Sequence, residues 1–206
     1  NALMFMYQDV LGVNLEALGP FARAKRPTRV PTVLTREEVA RLWAHLEHPY
    51  QLIGRLLYGS GLRLLEGLRL RVKDVDFGQG HIVVRDGKGA KDRVTMLPEV
   101  LREPLQAQLH RARTVHDRDL AAGLGEVWLP DALAVKYPRA CLEWGWQWVF
   151  PSGEISIDPE SGKRRRHHVH ETAMQRAMKK AVMAAEIGKP ASPHTLRHSF
   201  ATHLLE

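Results

Sequence analysis

The sequence predicts an α+β domain that is mostly helical and carries one small three-stranded antiparallel sheet. Three observations predict it. Apolar residues recur at helical spacing over most of the chain, whereas a single block, VDFGQGHIVVRDGKGAKDRVTMLP at 75–98, alternates as strands do. The third is size: 206 residues with 44% hydrophobic content can bury one substantial core plus a fragment of another.

Taken in order, residues 2–11 read as the end of a helix, with Leu3, Met6, Tyr7 and Val10 on one face. The chain does not begin with Met, and the expectation is that a preceding segment is missing. FARAKRPTRVPTVLT, residues 21–35, sets Arg23, Lys25, Arg26 and Arg29 around Pro27 and Pro31, the composition of an extended basic linker. Thr35 with Glu38 forms a capping box, and Val39, Leu42, Trp43 and Leu46 give the helix it opens an apolar stripe. A new domain therefore starts near residue 31. PYQLIGRLLYGSGLRLLEGLRL supplies two short helices joined at Gly59, Ser60 and Gly61. Strands are expected at about 74–77, 81–85 and 91–97. Pro98 opens a long helix to about Leu120, and Asp131 to Trp148 reads as a tryptophan-rich helix. DPESGKRRRHHVHE, from residue 158, reads as a basic, turn-rich stretch. Thr172 to Ala185 is helical, and Ser192 with Pro193 caps a last helix.

Thirty Lys and Arg against 23 Asp and Glu leave a net charge of +7, which favours a polyanionic partner, nucleic acid ahead of a membrane surface. A single cysteine, Cys141, excludes an internal disulfide framework and fits a reducing cytoplasm. No apolar run has the length of a bilayer span, so no membrane partner is expected. Among 11 histidines, HHVH at 167–170 and the set His194, His198 and His203 invite a metal reading. Zinc needs convergent ligands and a supporting shell, and one cysteine gives no help. His198 and His203 are spaced to face the core; neither a metal nor a cofactor is expected.

Four residues point to phosphate chemistry. Arg63 follows the glycine turn at the start of a helix, where N–H groups and the helix dipole also favour an anion. His194 and Arg197, at i and i+3, share one face near the start of the last helix. Lys88 sits at the glycine-flanked hairpin tip, a position that by itself is usually solvated and idle. Together they could surround one phosphate, with the histidine free for proton transfer.

GSGLRLLE, DGKGAKDR and HTLRHSFATHLL, in this order, resemble the boxes of the tyrosine recombinase (phage integrase) family. The resemblance covers about residues 30–206 and is closest to the integron integrases, which carry an additional helical insertion before the H-x-x-R box. DALAVKYPRACLEWGWQWVFP, within about 128–150, together with RRRHHVHE looks like that insertion and its flank.

The resemblance implies a tyrosine recombinase catalytic domain at 35–206 lacking its C-terminal end, a basic linker at 19–34, and at 1–18 the remnant of a SAM-like core-binding domain. It implies cleavage and rejoining of DNA through a 3′-phosphotyrosine, by a homotetramer assembled on folded single-stranded or double-stranded attachment sites. Arg63 and Arg197 would bind the non-bridging oxygens, Lys88 would protonate the departing 5′ oxygen and His194 would assist; guanidiniums that stay charged at any useful pH make a divalent ion unnecessary. Glu66, one turn beyond Arg63, is expected to support the site. The nucleophilic tyrosine should follow the H-x-x-R helix, yet Tyr7, Tyr50, Tyr58 and Tyr137 all precede His194. This polypeptide alone is therefore expected to be inactive. Arg26, Arg29, Lys91, Arg93, Arg165 and Arg166 are expected at the DNA backbone, and His167 and His168 against unstacked bases. Trp144, Trp146 and Trp148 cannot all share one helical face, so some of them are structural. An Xer-like or phage-type recombinase and a non-catalytic DNA-binding module remain as alternatives.

Overall fold

The computed structural model describes residues 5–13, 30–85 and 92–206. The chain divides into two compact units, Asn1–Val30 and Pro31–Glu206. In the first, Met6–Val10 form a single π-helical turn on which Met6, Tyr7 and Val10 are exposed.

The second unit is built around a leucine-rich helix. The Thr35 hydroxyl accepts from Glu38 N while the Glu38 carboxylate accepts from Thr35 N, opening α1, Arg36–Ala44. Helix α2, Tyr50–Ser60, buries Leu52, Ile53, Leu56 and Leu57 and ends at Gly61, whose φ of 61° is left-handed. Three residues on, α3, Leu64–Leu68, begins. Strands β1 (Val75–Asp76), β2 (His81–Val84) and β3 (Arg93–Met96) form the expected antiparallel sheet in that order, with Ile82 opposite both Val75 and Thr95. A 3-10 turn at Glu99–Leu101 leads into α4, Arg102–Ala121. After the elements discussed next come α6, Glu171–Ala184, and α7, Pro193–Leu205.

Two expectations are corrected. Residues 131–148 are not one helix: α5 covers only Asp131–Lys136, and 3-10 turns follow at Ala140–Leu142 and Trp144–Trp146. Pro138 biases Tyr137 away from helical backbone. The buried Arg71 takes the carbonyls of both Trp128 (2.8 Å) and Trp146 (2.5 Å), which a continuous helix between them would hold about 25 Å apart. The basic stretch is also more ordered than expected. Its residues Arg164–His168 form β5, which pairs with β4 (Pro151–Ile157) just before the stretch, with a register shift between Pro151 and Ile155. Only its beginning is turn: the Asp158 carboxylate accepts from Glu160 N and Ser161 Oγ, and Gly162 adopts φ 67°.

Helix α7 packs on α2 where side chains are smallest. A Cβ on Gly61 would lie 2.7 Å from the Phe200 ring, and one on Gly54 would meet Trp43 at 2.8 Å and Leu196 at 3.6 Å. Ser199, fully buried, accepts from Leu34 N at 3.0 Å and donates to Thr195 O, tying the entering chain to α7. Among the described residues, no helix is long and apolar enough to cross a membrane.

Gly61→Ala combines a left-handed backbone with a clash and is expected to cost about 2–4 kcal/mol. Gly123→Ala, at φ 71° with nothing within 4 Å of the added methyl, should cost only about 1–2 kcal/mol. Urea midpoints at constant m-value check the difference, and equal losses would contradict the close approach of α7.

Candidate active site

The turn that ends α2, the start of α3, the start of β3 and the first turns of α7 converge on one carboxylate. Arg63 is the N-cap of α3 rather than part of its first turn, with extended backbone. Glu66, three residues later, reaches back so that its Oε2 accepts from Arg63 N at 2.7 Å and its Oε1 from Arg63 Nη1 at 2.7 Å. Arg93 adds a two-pronged contact from β3: Nη1 to Oε1 at 2.9 Å and Nη2 to Oε2 at 2.7 Å. Arg197, on α7, hydrogen-bonds the Gly61 carbonyl through Nη1, which also lies 4.0 Å from Glu66 Oε2.

The Glu66 side chain is 8% exposed, whereas those of Arg63, Arg93 and Arg197 are 39, 33 and 33% exposed. Burial alone would raise the carboxyl pKa. Hydrogen bonds from Arg93 and from the Arg63 backbone and side chain outweigh burial and bring it down to about 2. Arg197 is shifted downward, first by burial and then by the neighbouring Arg63, with Glu66 opposing. Three cations around one anion leave the site net positive. A guanidinium that has given only Nη1 to the protein keeps its other N–H groups for an anion.

His194 lies exposed one turn before Arg197, in a helix opened by Ser192 and Pro193, with Ser192 N donating to Thr195 Oγ1 at 3.0 Å. The structure thus brings Arg63, Glu66 and Arg197 together and puts His194 on the helix that carries Arg197. Lys88, Lys91, Arg26 and Arg29 lie outside the described residues. His198 is exposed, against the expectation that it faces the core, while His203 shares a 2.8 Å hydrogen bond with Tyr58 Oη.

Other expected surface cations are spent inside the protein. Arg166 is buried and forms a two-pronged ion pair with Asp119 (2.5 and 2.8 Å), giving its third donor to Ser152 O. Arg165 pairs with the buried Asp158 at 2.8 Å. Both follow from β5 lying against the body rather than in solvent. His168 packs edge-on to Trp148 with ring centres 5.1 Å apart and donates from Nδ1 to Val169 O; burial lowers its pKa. His167 is half-buried beside it.

Arg71 is not among the residues expected at a site. Its guanidinium stacks 3.9 Å over Trp148 and 5.7 Å from Trp146, and burial brings its pKa down to about 10. One signal could have found it: Asp74, three residues on, caps Arg71 N. Arg93 is expected at the DNA backbone, and nothing local to it points to Glu66. Among the described residues, no group of three or more His, Cys, Asp or Glu side chains could hold a metal ion.

Because the folded pKa of Glu66 is depressed, its contribution to stability is complete above about pH 4.5 and is lost as pH falls toward 2. Wild type should therefore exceed Glu66→Gln by about 1–3 kcal/mol at pH 6, and the gap should narrow by more than half at pH 2.5. Urea unfolding at both pH values measures it; a gap that does not change with pH would contradict the charged cluster.

The model of the phage integrase family matches residues 32–206. An integrase/recombinase of Escherichia coli is 53% identical over 204 residues, covering 99% of this chain and 60% of the relative. The tyrosine recombinase XerA of Thermococcus kodakarensis is 34% identical over 185 residues, 88% of this chain and 51% of the relative. The chain thus spans between about half and three fifths of the length of these two relatives. In fold it resembles the crystal structure of XerA recombinase (TM-score 0.56, 24% identity, 98% of this chain and 59% of that one). It also resembles XerH site-specific recombinase bound to difH substrate (TM-score 0.57, 20% identity, 98% and 50%). The chain belongs to the phage integrase family of tyrosine recombinases.

Proposed function

We propose that residues 35–206 are the catalytic part of a site-specific DNA recombinase of the integron type, acting in the cytoplasm as a tetramer on DNA. In this reading 19–34 are a basic linker and 1–18 belong to a core-binding domain. The observation that carries it is the pair Arg63 and Arg197, brought from opposite ends of the unit to one buried carboxylate with donors to spare. Such a pair suits the two non-bridging oxygens of a phosphodiester. A tyrosine oxygen attacks phosphorus and gives up its phenolic proton, the P–O5′ bond breaks, and the 5′ oxygen leaves as a hydroxyl with a proton from Lys88, His194 assisting these proton transfers. The 3′-phosphotyrosine is then attacked by a partner strand's 5′-hydroxyl, returning the tyrosine.

None of the four tyrosines fits the nucleophile. Tyr58 is engaged with His203, Tyr50 packs on the core, and all four, Tyr7 and Tyr137 included, precede His194, whereas the family pattern puts the nucleophile after it. Cleavage therefore belongs to a longer protein carrying this sequence. The recombinase relatives and the DNA-bound XerH neighbour support the general class. What favours the integron type over an Xer-like one is the tryptophan-rich segment around 128–150, with His167 as the more available of the histidine pair. An imidazole there can support a base that protrudes from a folded strand.

Neutralising about 6–10 phosphates would make affinity fall roughly 10³–10⁵-fold between 50 and 200 mM salt. A flat salt response of this chain on duplex DNA would count against the reading. In the longer protein, Arg197→Gln should slow single-turnover cleavage by about 10²–10³ with binding retained; equal loss of both would favour a binding module. This chain alone should form no covalent adduct with a nicked suicide substrate on a denaturing gel. His167→Ala should weaken binding to a hairpin with a protruding base by about 1–3 kcal/mol and leave paired duplex unaffected.

A further inference from the structure

The third guanidinium of the cluster has the most constrained geometry of the three. Arg93 and Thr95 alternate along β3 with the exposed Val94 and Met96, so they share its inward face. Both are used as fasteners. Thr95 Oγ1 donates to Ser60 O at 2.8 Å, and the two terminal nitrogens of Arg93 hold the two oxygens of Glu66. Ser60 is the last residue of α2 and Glu66 lies in α3, so β3 is pinned on both sides of the turn that carries Arg63. The same carboxylate binds Arg63 through backbone and side chain and faces Arg197 Nη1 at 4.0 Å.

A residue that grips backbone phosphate turns its fork toward the DNA. Arg93 instead turns its fork, one N–H from each terminal nitrogen, onto a carboxylate that is itself buried. A planar fork against a carboxylate fixes the carboxylate plane, which a lysine ammonium does not do. Fixing that plane fixes where Arg63 and Arg197 point.

We propose that Arg93 is a positioning residue that orients the Glu66 carboxylate, and through it Arg63 and Arg197, toward the scissile phosphate. This rests on the recombinase reading above and takes the place of the expectation that Arg93 holds DNA backbone.

The test compares Arg93→Lys, which keeps the charge without the fork, with Arg93→Gln, Glu66→Gln and the double variant. In the longer protein carrying this sequence, both Arg93 variants should slow single-turnover cleavage at least about tenfold, with the DNA Kd and its salt slope unchanged. The double variant should be no slower than Glu66→Gln alone. Full activity of Arg93→Lys, a salt slope reduced by about one phosphate in Arg93→Gln, or losses that multiply in the double variant would overturn the proposal. In the 206-residue chain without DNA, the Nε–Hε resonances of Arg63 and Arg197 should shift in Arg93→Gln. Unchanged resonances would overturn it whether or not the protein cleaves DNA. Shifted resonances with no cleavage by wild type would instead count against the recombinase reading alone. Should Arg93→Gln fail to fold by circular dichroism, Arg93→Lys carries both comparisons.

Discussion

A carboxylate with 8% of its side chain exposed, Glu66, sits where three guanidiniums would otherwise repel one another, and the arrangement of the site follows from it. Burial opposes its ionisation, but several charge-assisted hydrogen bonds outweigh burial and keep it ionised far below neutral pH. The anion lets cations from the α2–α3 turn, β3 and α7 approach closely while each stays about a third exposed. Without it, placing like charges in one half-buried pocket would be strongly unfavourable. The net positive charge that remains is what an anionic ligand would meet.

This constraint depends on how closely the helices meet. Arg197 reaches the Gly61 carbonyl only because α7 lies against the end of α2, and Phe200 of α7 can lie there because position 61 carries no Cβ. Gly61 has a second duty: its left-handed backbone ends α2 and turns the chain so that Arg63 becomes the N-cap of α3. One residue thus sets both the helix boundary and the seat of Arg197. Buried Ser199 holds the other side of α7 to the segment entering the unit.

A buried cation organises the tryptophan-rich segment. Arg71 takes two backbone carbonyls, lies on the face of Trp148 and makes the chain between α5 and β4 turn rather than wind as a helix. Together with the Arg166–Asp119 pair, which joins β5 to α4, it binds this segment to the body through desolvated charges. Charges so placed confer little net stability but tolerate few alternative arrangements, because an unpaired one would be costly to bury.

The sequence by itself determined whatever is governed by neighbours within a turn or a strand pair. The Thr35–Glu38 box, the stop at Gly61, the alternation of 75–98, the Ser192–Pro193 cap, and the i, i+3 placement of His194 and Arg197 were all legible, because each depends on backbone geometry over a few residues. The tertiary structure alone decided which charged side chains find partners. Nothing around Arg93 indicates Glu66, nothing in RRRHH says that two of its arginines turn inward, and a helical pattern at 131–148 cannot register that a distant Arg71 will hold the Trp128 and Trp146 carbonyls together. Periodicity records how a segment packs against an apolar surface. Which ions meet depends on the approach of segments far apart in the chain, and that is known only once they are packed together.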